Sequence, residues 1–219
     1  MRNDNFSKKN PKIRYIFEKA GALPYFTIDD LASIETDRNY LKVLLSRYKI
    51  AGRLLRLKKG VYVLNDYLVK IPDDLKNAYN EFVANLLCAP SYLSLDFVLH
   101  QYGILTEAPA NFTSISKDKT IGFSNPRGNF YYHKVKADLF CGFATAKNGD
   151  FEIRKATKAK AVFDYLYLRK NSLSAKSAVD ELRLNISLLN AADKKDIADF
   201  AKIEGSKKMA QICNWLLIK

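Results

Sequence analysis

The sequence predicts an α+β protein of two domains, a small one over residues 1–70 and a larger one over residues 71–219. Apolar residues recur at helical spacing in the first third of the chain and again near its end. Between these regions, short runs rich in aromatic and β-branched residues alternate with Asn, Asp, Pro and Gly, which is typical of strands and turns. Because the sequence contains no Gly/Ser-rich linker, we expect a helix to join the two domains.

Three short helices are predicted in the first fifty residues, and each has its own signal. The first begins at Pro11, which a first helical turn tolerates. Thr27, followed three residues later by Asp30, predicts a capping box at the start of the second. The third begins near Asp37 and carries an apolar face that we expect to be buried: Leu41, Leu44, Leu45 and Tyr48.

The stretch RLLRLKKGVYVL, residues 53–64, predicts a two-stranded hairpin. Gly60 permits the tight turn, and Lys58 and Lys59 lie at its tip. A hairpin alone is at best marginally stable in water, so we expect its alternating apolar residues to pack on the three helices: Leu55, Leu57, Val61 and Val63. Three helices followed by a hairpin is the order of a winged helix-turn-helix domain.

Charge favours DNA as the partner of this domain. The chain has a formal charge of +13, and residues 1–70 hold 15 basic against 7 acidic residues, while the remaining 149 hold 21 against 16. We therefore predict that the N-terminal half of the third helix enters the major groove of double-stranded DNA, while its flank and the wing tip contact phosphates. The predicted DNA-binding residues are Arg38, Asn39, Lys42, Ser46, Lys49, Arg53, Lys58 and Lys59.

The second domain is predicted to contain a modest antiparallel sheet followed by helices. IPDDLKNAYNEFVANLLCAP predicts a connecting helix, and a shorter helix follows with Ser94 as N-cap and Gly103 as terminator. Strands are predicted in NFTSIS, KTIGF and NFYYHKV, and a hairpin follows with Asn148-Gly149 as its turn. KAKAVFDYLYLRK predicts a helix, and we expect residues 174–219 to be helical throughout.

Two basic groups in the second domain form a candidate second surface for nucleic acid or a toxin. One group lies in loops between strands, and the other follows the second hairpin: Lys117, Lys119 and Arg127; Arg154, Lys155, Lys158 and Lys160. A solvated charged face that binds nothing is the alternative for each group.

The sequence predicts no enzyme and no cofactor or metal site. His100 and His133 have no cysteine or carboxylate at ligand spacing, and no glycine-rich phosphate loop is present. In DFEIRK, Glu152 and Lys155 face opposite sides of a strand, unlike the acid and lysine of metal-dependent nucleases. Three widely spaced cysteines, with no apolar leader or membrane-length run, predict a cytoplasmic protein with no membrane partner.

One further pattern runs through the chain from about Phe26 to Arg169. PSYLSLDFVLHQYGILTEAPANFTSISKDKT is followed by FYYHKVKADLFCGF and then by ATKAKAVFDYLYLR. This order resembles the AbiEi family, the antitoxin and repressor halves of AbiE toxin–antitoxin systems, which confer abortive infection against phage. Its most specific part is Tyr92-Leu93-Ser94-Leu95, with Tyr102-Gly103 following.

The sequence departs from that family in the helix after the second hairpin. The family pattern Pro-Glu-Lys-Ala with a downstream Asp reads Lys158-Ala159-Lys160-Ala161 here, with Asp164 retained. The missing acid removes the basis for carrying a role over to that position.

The resemblance implies two functions. The N-terminal domain would bind inverted repeats upstream of its own operon and repress it. The C-terminal domain would give antitoxicity against a nucleotidyltransferase-like toxin, with or without direct contact. Two alternatives stay open. One is an antitoxin that neutralises its toxin directly, without sequence-specific DNA binding, and the other is a nucleic-acid-processing enzyme.

Overall fold

The computed structural model describes residues 11–217, which form an α+β structure. The chain divides into two compact units, Met1–Lys76 with Asn125–Arg127, and Asn77–Ser124 with Gly128–Lys219. Across the described residues, every helix is too short or too polar to cross a membrane.

The first unit combines helices with a three-stranded sheet. In chain order its elements are α1 (Pro11–Ala20), β1 (Phe26–Thr27), a 3-10 turn (Asp29–Leu31), α2 (Arg38–Ile50), β2 (Leu54–Lys58), β3 (Val61–Leu64) and α3 (Asn65–Lys70). The strand order is β1-β3-β2, and both neighbouring pairs are antiparallel.

Helix α2 begins and packs as the sequence predicts. The Asp37 carboxylate accepts the backbone N–H groups of Asn39 and Tyr40 at 2.9 and 3.0 Å, which caps the helix. Its three leucines are buried, and the half-buried ring of Tyr48 lies 4.1 Å from that of Phe17, centroid to centroid. One side of α2 is therefore fixed on the unit's core.

The second predicted helix is a single 3-10 turn. The expected reciprocal bonds are present, because Thr27 N–H donates to Asp30 Oδ2 at 2.6 Å and Asp30 N–H donates to Thr27 Oγ1 at 3.4 Å. The turn ends at Leu31, which is the one fully buried apolar side chain of that stretch. Helix nucleation is costly, and one buried anchor does not support further turns.

The predicted hairpin forms, with Lys59-Gly60 between β2 and β3 and Gly60 at a φ of +81°. The expected burial of Leu55 is wrong: it is half-buried, while Leu54 is buried instead. The cause is a β-bulge, since the register shifts between Arg56 and Lys58 and the side-chain alternation shifts with it.

The hairpin is stabilised by what it packs against. Strand β1 adds a third strand beside β3, and the helices cover one face of the sheet. The core of the first unit comprises Ile13, Ile16, Ala20, Phe26, Leu31, Leu41, Leu44, Leu45, Leu54 and Leu64.

The second unit contains a six-stranded sheet accompanied by helices. Its elements are α4 (Lys76–Leu87), β4 (Ser91–Leu93), α5 (Leu95–Gln101), β5 (Phe112–Ser116), β6 (Ile121–Asn125), β7 (Gly128–Lys134), β8 (Phe143–Asn148), β9 (Phe151–Ala156), α6 (Lys158–Arg169), α7 (Lys176–Asp180), α8 (Ala191–Glu204) and α9 (Lys207–Leu217), with 3-10 turns at Ala137–Leu139 and Ile186–Leu188. A further 3-10 turn, Asp73–Leu75, precedes α4 and belongs to the first unit. The strand order is β6-β7-β5-β4-β9-β8.

Three expectations for this unit are corrected. The sheet is mixed rather than antiparallel, because β4 pairs with β9 and β5 with β7 in parallel. The second hairpin turns at Gly149-Asp150, since Asn148 pairs with Phe151 and Gly149 has a φ of +58°. The tail is not helical throughout: residues 181–190 contain one 3-10 turn between α7 and α8.

Candidate nucleic-acid interface

The outward face of α2 carries two of the predicted DNA-binding residues, Asn39 and Ser46. At 100° per residue, the line opposite the buried leucines carries four exposed residues: Asn39, Val43, Ser46 and Ile50. The whole helix, RNYLKVLLSRYKI, has no acidic residue. The face is therefore a ridge of uncharged side chains on a cationic helix.

Cations flank this ridge on both sides. Lys42 and Lys49 lie on one flank, and Arg47 lies on the other, about 140° around the axis from Lys42. All three are exposed, and none forms an ion pair with another described residue. Arg47 is not among the predicted DNA-binding residues, because only one flank of the helix was expected to be basic, although the same helical spacing identifies both flanks.

Two of the predicted arginines are already engaged. Arg38 is exposed, and its Nη2 lies 2.6 Å from Asp29 Oδ1. Such a surface pair is worth about 0–1 kcal/mol, so a phosphate can replace it at little cost. Arg53 is half-buried, has interactions of its own and lines a cleft of about 460 Å³ together with Phe17 and Tyr48. Arg53 is consequently less accessible to a polyanion than the cations of the α2 face.

The two lysines at the hairpin tip differ. Lys59 is exposed and has no ion pair within residues 11–217. Lys58 is half-buried and makes interactions of its own, and its carbonyl lies 3.4 Å from Arg56 Nε. Lys59 is therefore the better placed of the two for a phosphate.

Acidic residues precede α2. Glu35 lies 2.7 Å from Lys12 Nζ and accepts the Asp37 N–H, and these contacts lower the pKa of Glu35. Together with Asp29 and Asp30, Glu35 and Asp37 place acidic side chains among the basic ones at the start of the helix. The cationic surface therefore covers the middle and C-terminal half of α2, which includes the predicted Lys42 and Lys49.

Lys160 does not belong to any surface, so its place in the second basic group is wrong. It is fully buried, and its Nζ donates to Asp164 Oδ1 at 2.7 Å. The ammonium also lies 4.8 and 5.2 Å from the ring centroids of Phe163 and Phe200. Helix α6 is buried around most of its circumference, and its periodicity therefore does not reveal a solvent-facing side.

The other members of that group are largely held within the second unit. Lys155 is half-buried and lies 2.9 Å from Glu81 Oε2, while Lys158 donates to the Leu188 carbonyl at 2.9 Å. Arg154 is half-buried, and the Asn85 side chain bonds its backbone. The structure does not bring these residues together as an open basic patch.

The loop group, Lys117, Lys119 and Arg127, does not stay together in the structure. Lys117 and Lys119 are exposed at the end of β5, and Lys134 is exposed beside them, because Ser116 pairs with Lys134. Arg127 is half-buried, makes interactions of its own and belongs to the first unit.

The residues that carry the family resemblance meet in a buried polar network. Tyr92 Oη and Ser94 Oγ donate to Asp164 Oδ2 at 3.1 and 2.8 Å, and Lys160 binds the other oxygen. Ser94 occupies the N-cap position of α5 as expected, but its side chain makes this bond instead of capping the helix. Burial raises the pKa of Asp164, and the ion pair with Lys160 opposes that shift. All four side chains are closed to solvent, so a substrate cannot reach them.

The described part of the chain contains no group of three or more His, Cys, Asp or Glu side chains that could hold a metal ion. A comparison with models of protein families finds none that matches this chain, and a comparison with curated proteins finds no match either. Two features therefore bear on the function: the geometry and charge of the α2 face, and the resemblance noted in the sequence.

Proposed function

We propose that the chain is a DNA-binding transcriptional repressor whose first unit is a winged helix-turn-helix domain. The observation that carries this proposal is the outward face of α2, where an uncharged ridge lies between unpaired cations. In the proposal, α2 enters the major groove and the β2–β3 hairpin is the wing.

The dimensions of the face suit a major groove. The groove is about 12 Å wide, an α-helix with its side chains is about 10–12 Å across, and phosphates line both walls. Lys42 and Arg47 would each face one wall, while Asn39 and Ser46 offer hydrogen-bonding groups to base edges. Cations on a single flank would suit a flat anionic surface instead.

The wing has independent support. Strand β1 and the shared core stabilise the hairpin, so its tip is presented on a packed sheet rather than on a free loop. Lys59 at that tip is exposed. The 3-10 turn at Asp29–Leu31, with its reciprocal Thr27 and Asp30 bonds, takes the place of the middle helix.

The wider biological role is proposed on the resemblance. We infer that the repressor acts on inverted repeats upstream of its own toxin–antitoxin operon, and that the second unit supplies antitoxicity against a nucleotidyltransferase-like toxin without being an enzyme. The support for this role is the resemblance itself, in which Tyr92 and Ser94 belong to the most specific part, and both contact Asp164 in this chain.

The test is a fluorescence-anisotropy titration with the duplex immediately upstream of the chain's own gene. A scrambled duplex of equal length and composition is the control, and both are titrated at 50 and 200 mM salt. We expect tighter binding to the native duplex that persists at the higher salt, since base contacts depend less on counterion release than phosphate contacts do.

Equal affinity for the two duplexes would contradict the proposal. Co-purification of a stoichiometric toxin in that case would favour the protein-interaction alternative. Divalent-metal-dependent cleavage of either duplex, abolished by Glu152→Ala, would instead identify a nucleic-acid-processing enzyme.

A further inference from the structure

Val43 is an apolar side chain at the centre of the cationic face of α2. It is 51% exposed, and it lies on the outward ridge between Asn39, one turn before it, and Ser46, one turn after it. The buried leucines of α2 face the opposite side, so Val43 contributes nothing to the core of the unit. Val43 is therefore free to contact a partner that covers this face of α2.

The charges around Val43 determine which partner fits. Lys42 and Arg47 flank it without ion pairs to other described residues, and α2 has no acid. An apolar protein surface would have to desolvate these cations on docking, whereas the phosphates of a duplex would neutralise them. Under the proposed function this partner is DNA, and the apolar group that its major groove offers is the C5-methyl of thymine.

We infer that Val43 reads a thymine methyl group in the operator and is a specificity-determining residue. This inference rests on the proposed function, and it adds a chemical requirement that DNA binding alone does not make. A β-branched side chain has one strongly preferred rotamer in a helix. The two methyl groups of Val43 are thus held in place before binding, between the polar groups that contact neighbouring bases.

The neighbours of Val43 define what surrounds that thymine. Asn39 lies about 6 Å before Val43 along the helix axis, and Ser46 lies about 4.5 Å after it. An asparagine side chain pairs best with the N6 and N7 edge of adenine. The expected contact is therefore an A·T-containing step, with the methyl group next to a hydrogen-bonded base.

The test removes the methyl group and nothing else. The full-length protein first selects its preferred duplex from a random pool, which defines the probe without reference to a genome. Each thymine of that duplex is then replaced by uracil, singly, and the dissociation constant is measured by anisotropy. Loss of one buried methyl group corresponds to roughly 0.8 kcal/mol, so we expect about fourfold weaker binding at the contacted thymine.

The variant Val43→Ala tests whether Val43 is the residue that contacts the methyl group. The variant should bind the thymine and uracil duplexes nearly equally, because alanine lacks the two methyl groups through which Val43 would reach the thymine methyl group. Folding of the variant is not at risk, since position 43 is exposed and alanine favours a helix. Val69→Ala is the matched control: Val69 is 82% exposed and lies on α3, outside the proposed DNA-binding face, so this variant makes the same side-chain change and should keep the fourfold response.

The outcomes are distinguishable. Uracil sensitivity in the wild type and in Val69→Ala, but not in Val43→Ala, supports the inference. A selected duplex with no uracil-sensitive thymine, or one whose sensitivity survives Val43→Ala, overturns the inference and leaves the repressor proposal intact. If the protein selects no sequence from the pool, both fail.

Discussion

Lys42 on α2 and Lys160 on α6 are both helical lysines, and the two units use them in opposite ways. Lys42 is exposed and unpaired among the described residues, whereas Lys160 is fully buried against Asp164 and two phenylalanine rings. The contrast extends to their surroundings. The cations of the α2 face are open, while Lys155 and Lys158 in the second unit are held by protein groups. Formal charge alone therefore overstates the basic surface of the second unit.

Removal of Asp164 should have the largest effect on the second unit. Asp164→Ala leaves the Lys160 ammonium buried without a counter-charge, and the free energy of unfolding should fall by about 3–5 kcal/mol. Urea unfolding followed by circular dichroism measures this change. Lys42→Ala is the control, and it should alter stability by less than about 0.5 kcal/mol.

A double variant distinguishes charge from packing. Lys160→Met with Asp164→Asn removes both charges but keeps an oxygen that accepts the hydroxyls of Tyr92 and Ser94. It should recover most of the stability that Asp164→Ala loses. If Asp164→Ala lowers the free energy of unfolding by less than about 1 kcal/mol, the two lysines differ in burial but not in their contribution to stability.

The ion pair between Lys170, which is half-buried, and Glu204, which is buried, stabilises the second unit by an intermediate amount that depends on pH. Burial of Glu204 opposes ionisation, but hydrogen bonds from Lys170 and Ser206 outweigh it and lower the pKa to about 2 from an ordinary value of 4.5. Because the folded-state pKa is depressed, this stabilisation is complete above about pH 4.5 and is lost as the pH falls towards 2.

Lys170→Ala should weaken this stabilisation. Lys170 Nζ lies 2.7 Å from Glu204 Oε1, and we expect the variant to lose about 1.5–3 kcal/mol at pH 7. The difference from wild type should shrink between pH 4.5 and 2, as urea unfolding at several pH values would measure. Lys207→Ala removes an exposed lysine that has no ion pair among the described residues, and it should show no such pH dependence. A loss that is equal at pH 7 and pH 2.5 would refute the assignment.

The smallest effects on stability, with a clear effect on binding, belong to the α2 face. Lys42→Ala and Arg47→Ala should each leave the unfolding free energy nearly unchanged and reduce the slope of log affinity against log salt by about 1. Lys207→Ala, an exposed lysine of the second unit, makes the same charge change and should leave the slope unaltered. Equal slopes for all three variants would mean that DNA does not contact α2.

Local signals made most of the elements predictable. Asp37 as N-cap, Gly60 in the first hairpin and the aromatic strands depend on residues close together in the sequence, and each is found in the structure. Propensity and periodicity act at that range. The position of Val43 on the outward ridge follows from helical spacing in the same way, although spacing does not indicate that the residue is chemically unusual there.

The remaining features depend on contacts between distant residues. Strand alternation is the same in parallel and antiparallel pairs, so the parallel pairing of β4 with β9 is not encoded in either strand alone. The buried Lys160 ammonium lies beside the ring of Phe200, forty residues later. Leu55 is only half-buried because of the bulge opposite Tyr62 on the neighbouring strand. A single sequence does not reveal which distant groups will satisfy a buried charge.

The span of the network around Asp164 has a consequence for protein synthesis. Tyr92 and Ser94 leave the ribosome 72 and 70 residues before their acceptor, a wait of roughly 4–14 s at ordinary elongation rates. The core of the first unit lies between Ile13 and Leu64, so it is complete much earlier. A nascent chain therefore already contains every residue of the first unit's core while Tyr92 and Ser94 still lack the carboxylate of Asp164.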